Sequence, residues 1–448
     1  MHYFLYPTKD TTISNDPSYM FKNMGLDEIL EVEKKISVNS CSSTSTFPIL
    51  ISYTSSSIGL LSGSMSASYA SGSTDSSIVS SSYRLVSGAV TAGSVLSRAL
   101  LNFDLTEISK SISSNDEYRP VNPKFYLNLK VCESEEVPVK YTLAAYPVSQ
   151  SWEMGTGYKY DGQANSDGAN WKFSDGYSKP WYSGSLTDCS GGGAWWIESG
   201  SIAYGVGYAD PPYVTASAYY ADCHIAPYVP PVPSPIPHVT GSYTCYQNFD
   251  YQTSDVRMDV TTIVNAWLTG EIRNNGLILM HSDESSSIDY GKLRFFSKKT
   301  NTVYSPCIDM AWEDATIATG SADPIQIRDA VVNMKNMSKE YKFGSILRMD
   351  VSARKRYPVK TFTNKFSDYL APYYLPTGSF YSIKDAESEE TVMPYDKYTR
   401  LSFDGNGNYF MLDTTCLPQE RYFKVEIRSE QSGSIVTFTV PTAFKISR

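Results

Sequence analysis

The sequence predicts an all-β protein built from packed sandwiches, carrying one short helix and a large aromatic insertion. Three observations predict it. Tyr occurs 35 times while charged residues make up only 19% of the 448 residues. Short apolar runs with β-branched and aromatic members recur along the chain, and stretches rich in Ser, Thr and Gly separate them. That composition favours strands and turns over helices.

Taken in order, Leu26 to Glu33 reads as an edge strand or a single helical turn, because periodicity does not decide over so few residues. Residues 40–93 are dominated by Ser, Thr, Gly and Tyr with small apolar islands; a linker and a set of long hairpins both fit, and the interspersed Ile, Leu and Val favour hairpins. Val95 to Leu105 is a strand. Lys124 to Val131 alternates Phe, Leu and Leu against Tyr and Lys as a half-buried strand does, and Val139 to Tyr146 follows the turn at Pro138.

Residues 151–248 differ, being packed with Gly, Trp, Tyr and Asp and ending in the proline run from Tyr228 to Pro237, which reads as an extended polyproline strap. The block reads as a surface insertion. Beyond it, Val260, Ile263, Val264 and Trp267 fall at helical spacing behind an Asp/Thr cap, the one helix the sequence predicts. Leu277 to Met280, Lys292 to Ser297 and Cys307 to Trp312 read as strands, with Trp152, Trp267 and Trp312 as core residues. Further strands are expected at Gly344 to Val351, Arg356 to Thr363, Arg421 to Arg428 and Ser434 to Val440, with a tight hairpin over Phe403 to Phe410. The expected organisation is a first β-sandwich over 1–318, interrupted by 151–248, and a β domain of immunoglobulin-like size over 319–448.

Net charge of -9 and a pI near 5.1 argue against a nucleic-acid groove, and the run Arg354-Lys355-Arg356 is too short to change that. The seven Cys show no CxxC and no zinc spacing, so they are expected to be reduced, with no metal and no cofactor. The start, Met1 to Pro7, lacks the basic and long apolar segments of a secretory signal, and no apolar stretch reaches membrane-spanning length. Synthesis and folding in a cytoplasm are expected, without membrane insertion.

One ordered set of elements has a familiar texture. Arg98 to Leu105, a following Leu-rich strand, Trp152-Glu153, Met258-Asp259-Val260-Thr261 leading to Trp267, Asn275 to Leu279, Phe295-Phe296-Ser297 and Pro306 to Met310 together resemble the DNRLRE-type module. That resemblance covers roughly residues 1–315 and implies a jelly-roll β-sandwich related to carbohydrate-binding modules. Leu5 to Ile13, Ser352 to Lys360, Ser379 to Ala386 and Gln419 to Phe423 resemble virion proteins of large contractile-tailed bacteriophages. This second resemblance implies a particle component. The insertion has no counterpart in either.

None of the four His stands beside a plausible Ser, Cys or metal partner, which leaves almost no material for a nucleophilic triad or a zinc hydrolase. Glycosidase chemistry needs two carboxylates, and no pair stands in a recognisable motif. The loops Asp161 to Gly168 and Asp404 to Asn408 lack the terminal Glu of a calcium hand and read as turns. The candidate binding residues are Trp171, Trp181, Tyr182, Trp195 and Trp196, set among Gly and Asp. Such rings form a small core, dock a partner subunit or stack on sugars.

The expected function is therefore architectural and non-enzymatic: a tail or baseplate component of a phage virion, binding other virion proteins through β surfaces, as a homo-oligomer within a symmetric particle. The alternatives are an adhesin that recognises a host surface glycan, a depolymerase that cleaves one, and a capsid or neck decoration protein.

Overall fold

The computed structural model describes residues 1–39, 90–113, 120–161, 167–176, 179–181, 191–198, 201–204, 214–215, 243–251, 254–317, 324–357, 373–404 and 406–448. The expected hairpins of 40–89 and the proline run lie outside the described residues.

The first sandwich opens with β1 (His2–Leu5), β2 (Pro7–Ser14), β3 (Ile29–Asn39), β4 (Val90–Phe103), α1 (Thr106–Ser113), β5 (Lys124–Leu129), β6 (Val131–Glu135) and β7 (Lys140–Pro147). The insertion contributes β8 (Phe173–Asp175), β9 (Lys179–Pro180), β10 (Ala194–Glu198), β11 (Ser201–Tyr204) and β12 (Val214–Thr215). The sandwich resumes with β13 (Cys245–Asp250), β14 (Val256–Asp259), α2 (Thr261–Thr269), β15 (Leu277–His281), β16 (Gly291–Phe296) and β17 (Cys307–Ala311). A small sheet, β1-β17-β5-β14, faces a large one, β13-β7-β15-β4-β3-β16-β6, with β2 also paired to β4. The all-β sandwich expectation holds.

Three boundaries differ from the sequence reading. Lys124 to Val131 is two strands, because the chain crosses between the sheets at Lys130, where Asp255 accepts from Val131 N and pairs with Lys130 Nζ, both at 2.9 Å. The insertion ends before Cys245, since β13 pairs with β7 in the large sheet. Within Leu26 to Glu33 the strand begins at Ile29, Leu30 and Val32 entering the core while Glu31 and Glu33 lie on the other face. Helix α1 has no forecast in the sequence reading; Asp104 accepts from Thr106 N at its start, and Ile108 and Ile112, one turn apart, are buried.

The core between the sheets gathers Phe103, Phe125, Leu127, Leu279 and Phe295, with Ile263, Val264 and Trp267 of α2 closing one side. Helix α2 starts at Thr261 and ends on Gly270 in the left-handed region, at φ 75°.

The second sandwich runs through β18 (Ala330–Lys335), β19 (Glu340–Lys342), β20 (Ile346–Lys355), β21 (Gly378–Asp385), β22 (Thr391–Met393), β23 (Ser402–Phe403), β24 (Asn408–Asp413), β25 (Tyr422–Gln431) and β26 (Ser434–Ser447). Its sheets are β18-β20-β24-β23 and β19-β26-β25-β21-β22. Its core is separate, with Tyr381 stacked on Phe410 at 4.0 Å above Val351, Ile383, Phe423 and Phe444. The hairpin around residue 405 closes through Phe403 and Asn408. Strand β20 continues to Lys355, past the expected end at Val351; Arg356 and Tyr357 leave the strand, and 358–363 lie outside the described residues.

Candidate functional site

Both sheets of the first sandwich are covered on their outer faces, and the two covers contain the candidate sites. On the large sheet, β4, β7 and β15 alternate two apolar sets. Ala99, Leu101, Leu143, Ala145, Leu277 and Leu279 face the main core, whereas Leu96, Leu100, Ala144, Tyr146, Ile278 and Met280 face outward. A strand apolar on both faces demands a cover. The insertion supplies it with Trp152, Ala169, Trp171, Trp181, Ala194 and Trp195.

This corrects the surface reading of the insertion's tryptophans. Trp171, Trp181, Trp195 and Trp196 are 2%, 1%, 1% and 3% exposed. The first three pack in the outer core, and Trp196 turns the other way into the main core. Tyr182 lies outside the described residues. These rings are interior walls, so they offer no face to a sugar or a partner. The indole of Trp181 donates to Asn170 O and that of Trp152 to Asn275 O, each at 2.8 Å. Trp152, Trp267 and Trp312 are buried, as expected of core residues.

The outer core also encloses a charge. Arg98 of β4 points outward between the rings of Trp171 and Trp195, 5.0 and 5.1 Å from their centroids. Its guanidinium donates to both Glu284 oxygens, 3.0 Å for the Nε bond, and to Gly192 O. The pair is fully enclosed, at 0% and 2% side-chain exposure. Gly192, at φ 87°, lets its backbone approach: a Cβ there would lie 2.6 Å from Arg98 Nη1. Arg98 stood in the apolar run of β4 as its one charged residue, the only sequence signal for this site.

The described ends of the Asp-rich loops are turns. Asp161 accepts from Tyr158 N at 3.1 Å, and Asp404 accepts from Asn406 N at 3.0 Å and from Arg348. Among the described residues, no group of three His, Cys, Asp or Glu is placed to hold a metal. Cys132, Cys245, Cys307 and Cys416 are free thiols. Burial pushes the Cys307 thiol up to about 12 and that of Cys416 well above the usual range.

The small sheet is covered by the second sandwich. Phe4 of β1 packs against the second core, Cys416 Sγ donates to His2 O at 3.1 Å, and the Met1 amino group donates to Trp312 O and Tyr398 O at 2.7 and 2.6 Å. His2 Nδ1 lies 2.8 Å from Asp309, buried in the same seam. Here the outward residues are mostly polar and the cover does not close. A cavity of about 420 Å³ remains between the sandwiches, walled by Phe4, Val256, Val392 and Pro418 and edged by Lys130, Asp255, Arg257, Asp309, Asp385 and Glu390.

Each acid in the cavity has a partner. Asp255 pairs with Lys130 at 2.9 Å, Asp309 with His2, and Glu390 with the Tyr304 phenol. Burial works against ionised Asp385, but the backbone N–H groups of Ser388 and Glu387 and the Arg421 guanidinium hold its carboxyl below the usual range. Arg257 bridges Asp396 at 3.1 Å and Asp309 at 3.7 Å. Neither described imidazole bonds a Ser or Cys; burial, with Lys34 nearby, lowers His281 to about 3.

No family model matches the chain, and no curated protein matches it. Among solved structures, a DUF4785-family protein from Legionella pneumophila aligns at 12% identity with a TM-score of 0.16, over 39% of this chain and 40% of its own length. A likeness of that size carries no argument about function.

Proposed function

We propose that the chain is a non-enzymatic structural component of a tailed-phage virion, at the tail or baseplate, that works by contact between β surfaces. The observation that supports this reading is the layering. Insertion, large sheet, small sheet and second sandwich stack into one body whose candidate rings are consumed in packing. That construction suits a rigid part with outward contact faces. The jelly-roll and virion resemblances point the same way. Mass spectrometry of purified particles tests it: stoichiometric copies are expected, and absence from assembled virions overturns it.

A second reading, recognition of a host surface glycan, is favoured by a different set of rings. Tyr158 and Tyr160 of the insertion are 48% and 79% exposed, and Tyr160 is braced edge-on by Tyr19 at 6.3 Å. Glycan-array binding that disappears in Tyr160→Ala and survives in an exposed control such as Tyr357→Ala would favour this alternative.

A further inference from the structure

We propose that the seam cavity is a docking pocket for an extended, lysine- or arginine-bearing segment of a neighbouring chain, whose cation enters between Asp255 and Glu390. The inference rests on the reading of the protein as a contact-making particle component and names the chemistry of that contact. The cavity's 420 Å³ holds a few side chains. Its apolar wall comes from both sandwiches, Phe4 and Val256 on one side and Val392 and Pro418 on the other. An entering segment therefore touches both.

The charge at the mouth is incomplete. Lys130 Nζ lies 2.9 Å from Asp255 and 3.9 Å from Glu390, so one ammonium serves two carboxylates. Tyr304 adds a hydrogen bond to Glu390 but no charge. The trio keeps a net charge of one negative. Its side chains are 42%, 32% and 35% exposed for Lys130, Asp255 and Glu390, so a second cation reaches them from solvent. A desolvated guanidinium or ammonium bonds a carboxylate more strongly than the existing long pair does. Beside the pocket, β22 is the terminal strand of its five-stranded sheet. A strand edge is a template for main-chain pairing, which suits an extended occupant over a helix.

The test uses the full chain and fluorescence polarisation of a labelled peptide, Val-Lys-Val-Lys-Val, against Val-Glu-Val-Glu-Val, with maltohexaose as competitor. Saturable binding of the lysine peptide is expected, about tenfold or more tighter than the glutamate peptide and weakened by salt. Glu390→Gln, which removes the under-paired charge, and Thr391→Arg, which supplies a cation from an exposed position, should each lower affinity about tenfold with an unchanged melting temperature. Equal binding of the two peptides, no saturable binding, displacement by maltohexaose, or full affinity in both variants would overturn the proposal. Its failure is separable from that of the virion reading. Absence from particles leaves the pocket chemistry standing, whereas a particle component that ignores the lysine peptide loses the pocket alone.

Discussion

The two outer covers of the first sandwich obey the same rule and end differently. Over the large sheet, the outward positions are Leu96, Leu100, Ala144, Tyr146, Ile278 and Met280, and the insertion seals them with tryptophans. Over the small sheet, the outward positions include His2, Asn128, Arg257 and Asp309, and the second sandwich leaves a cavity edged by charge. An apolar face gains free energy with every atom covered, about 25 cal/mol per Å², so its cover closes. A polar face gains little from closure, and its pairs among Lys130, Asp255 and Glu390 stay near solvent. The closed cover is a stability element, and the open one is the place for a ligand.

Breaking the closed cover should cost most. Trp195→Ala removes a 1%-exposed ring from the outer core and should destabilise by about 3–5 kcal/mol in urea unfolding. A loss under about 1 kcal/mol would mean the insertion is a loose appendage after all. Next comes Glu284→Ala, which strands the enclosed Arg98 and should cost about 3 kcal/mol, the low end for breaking a buried pair. The double variant Arg98→Met with Glu284→Met should recover much of that, because no charge is then left buried. If the double variant is as unstable as the single one, the guanidinium's place between Trp171 and Trp195 matters more than its charge.

Much of the fold was legible because strands announce themselves. Strands β4, β7, β15, β16, β17, β25 and β26 follow from alternation and apolar runs, and α2 from Val260, Ile263, Val264 and Trp267. The short elements were not. Helix α1 carries only Ile108 and Ile112 as periodic anchors, and the three-residue β19 is set by β26, far away in sequence. The site was less legible still. Tryptophans among Gly and Asp look like a surface loop until the outward residues of β4, β7 and β15 supply the apolar partner, and that partnership is tertiary. Likewise Lys130, Asp255 and Glu390 are each at least 125 positions from one another and carry no shared motif.

Acid titration sharpens the comparison from the large-sheet side. Burial raises Asp10 of β2 to about 6, against which the Lys298 backbone N–H and charge work only in part. Because the folded value exceeds the unfolded one, the folded state takes up the proton first. Asp10 therefore adds stability as pH falls from about 7 towards 4, and withholds it above about 6. His281, lowered to about 3, has the opposite sign and costs stability as pH falls below about 6.5. The two are separated by Asp10→Asn, whose stability relative to wild type should fall by about 1 kcal/mol between pH 7.5 and pH 5. A difference that does not change with pH would show Asp10 to be ionised throughout that range.

The open cover should yield the smallest effect. Glu390→Gln removes a charge that is a third exposed and paired at 3.9 Å, so the change in unfolding free energy should stay below about 1 kcal/mol. Stability in the seam comes instead from Phe4 in the second core and the enclosed partners of His2 and Met1. Phe4→Ala should accordingly exceed Glu390→Gln several-fold, since it truncates an apolar anchor shared by both sandwiches. If the two variants were reversed in size, the ion pairs at the cavity mouth would be what joins the sandwiches. A partner cation drawn into that mouth would then loosen the seam as it bound.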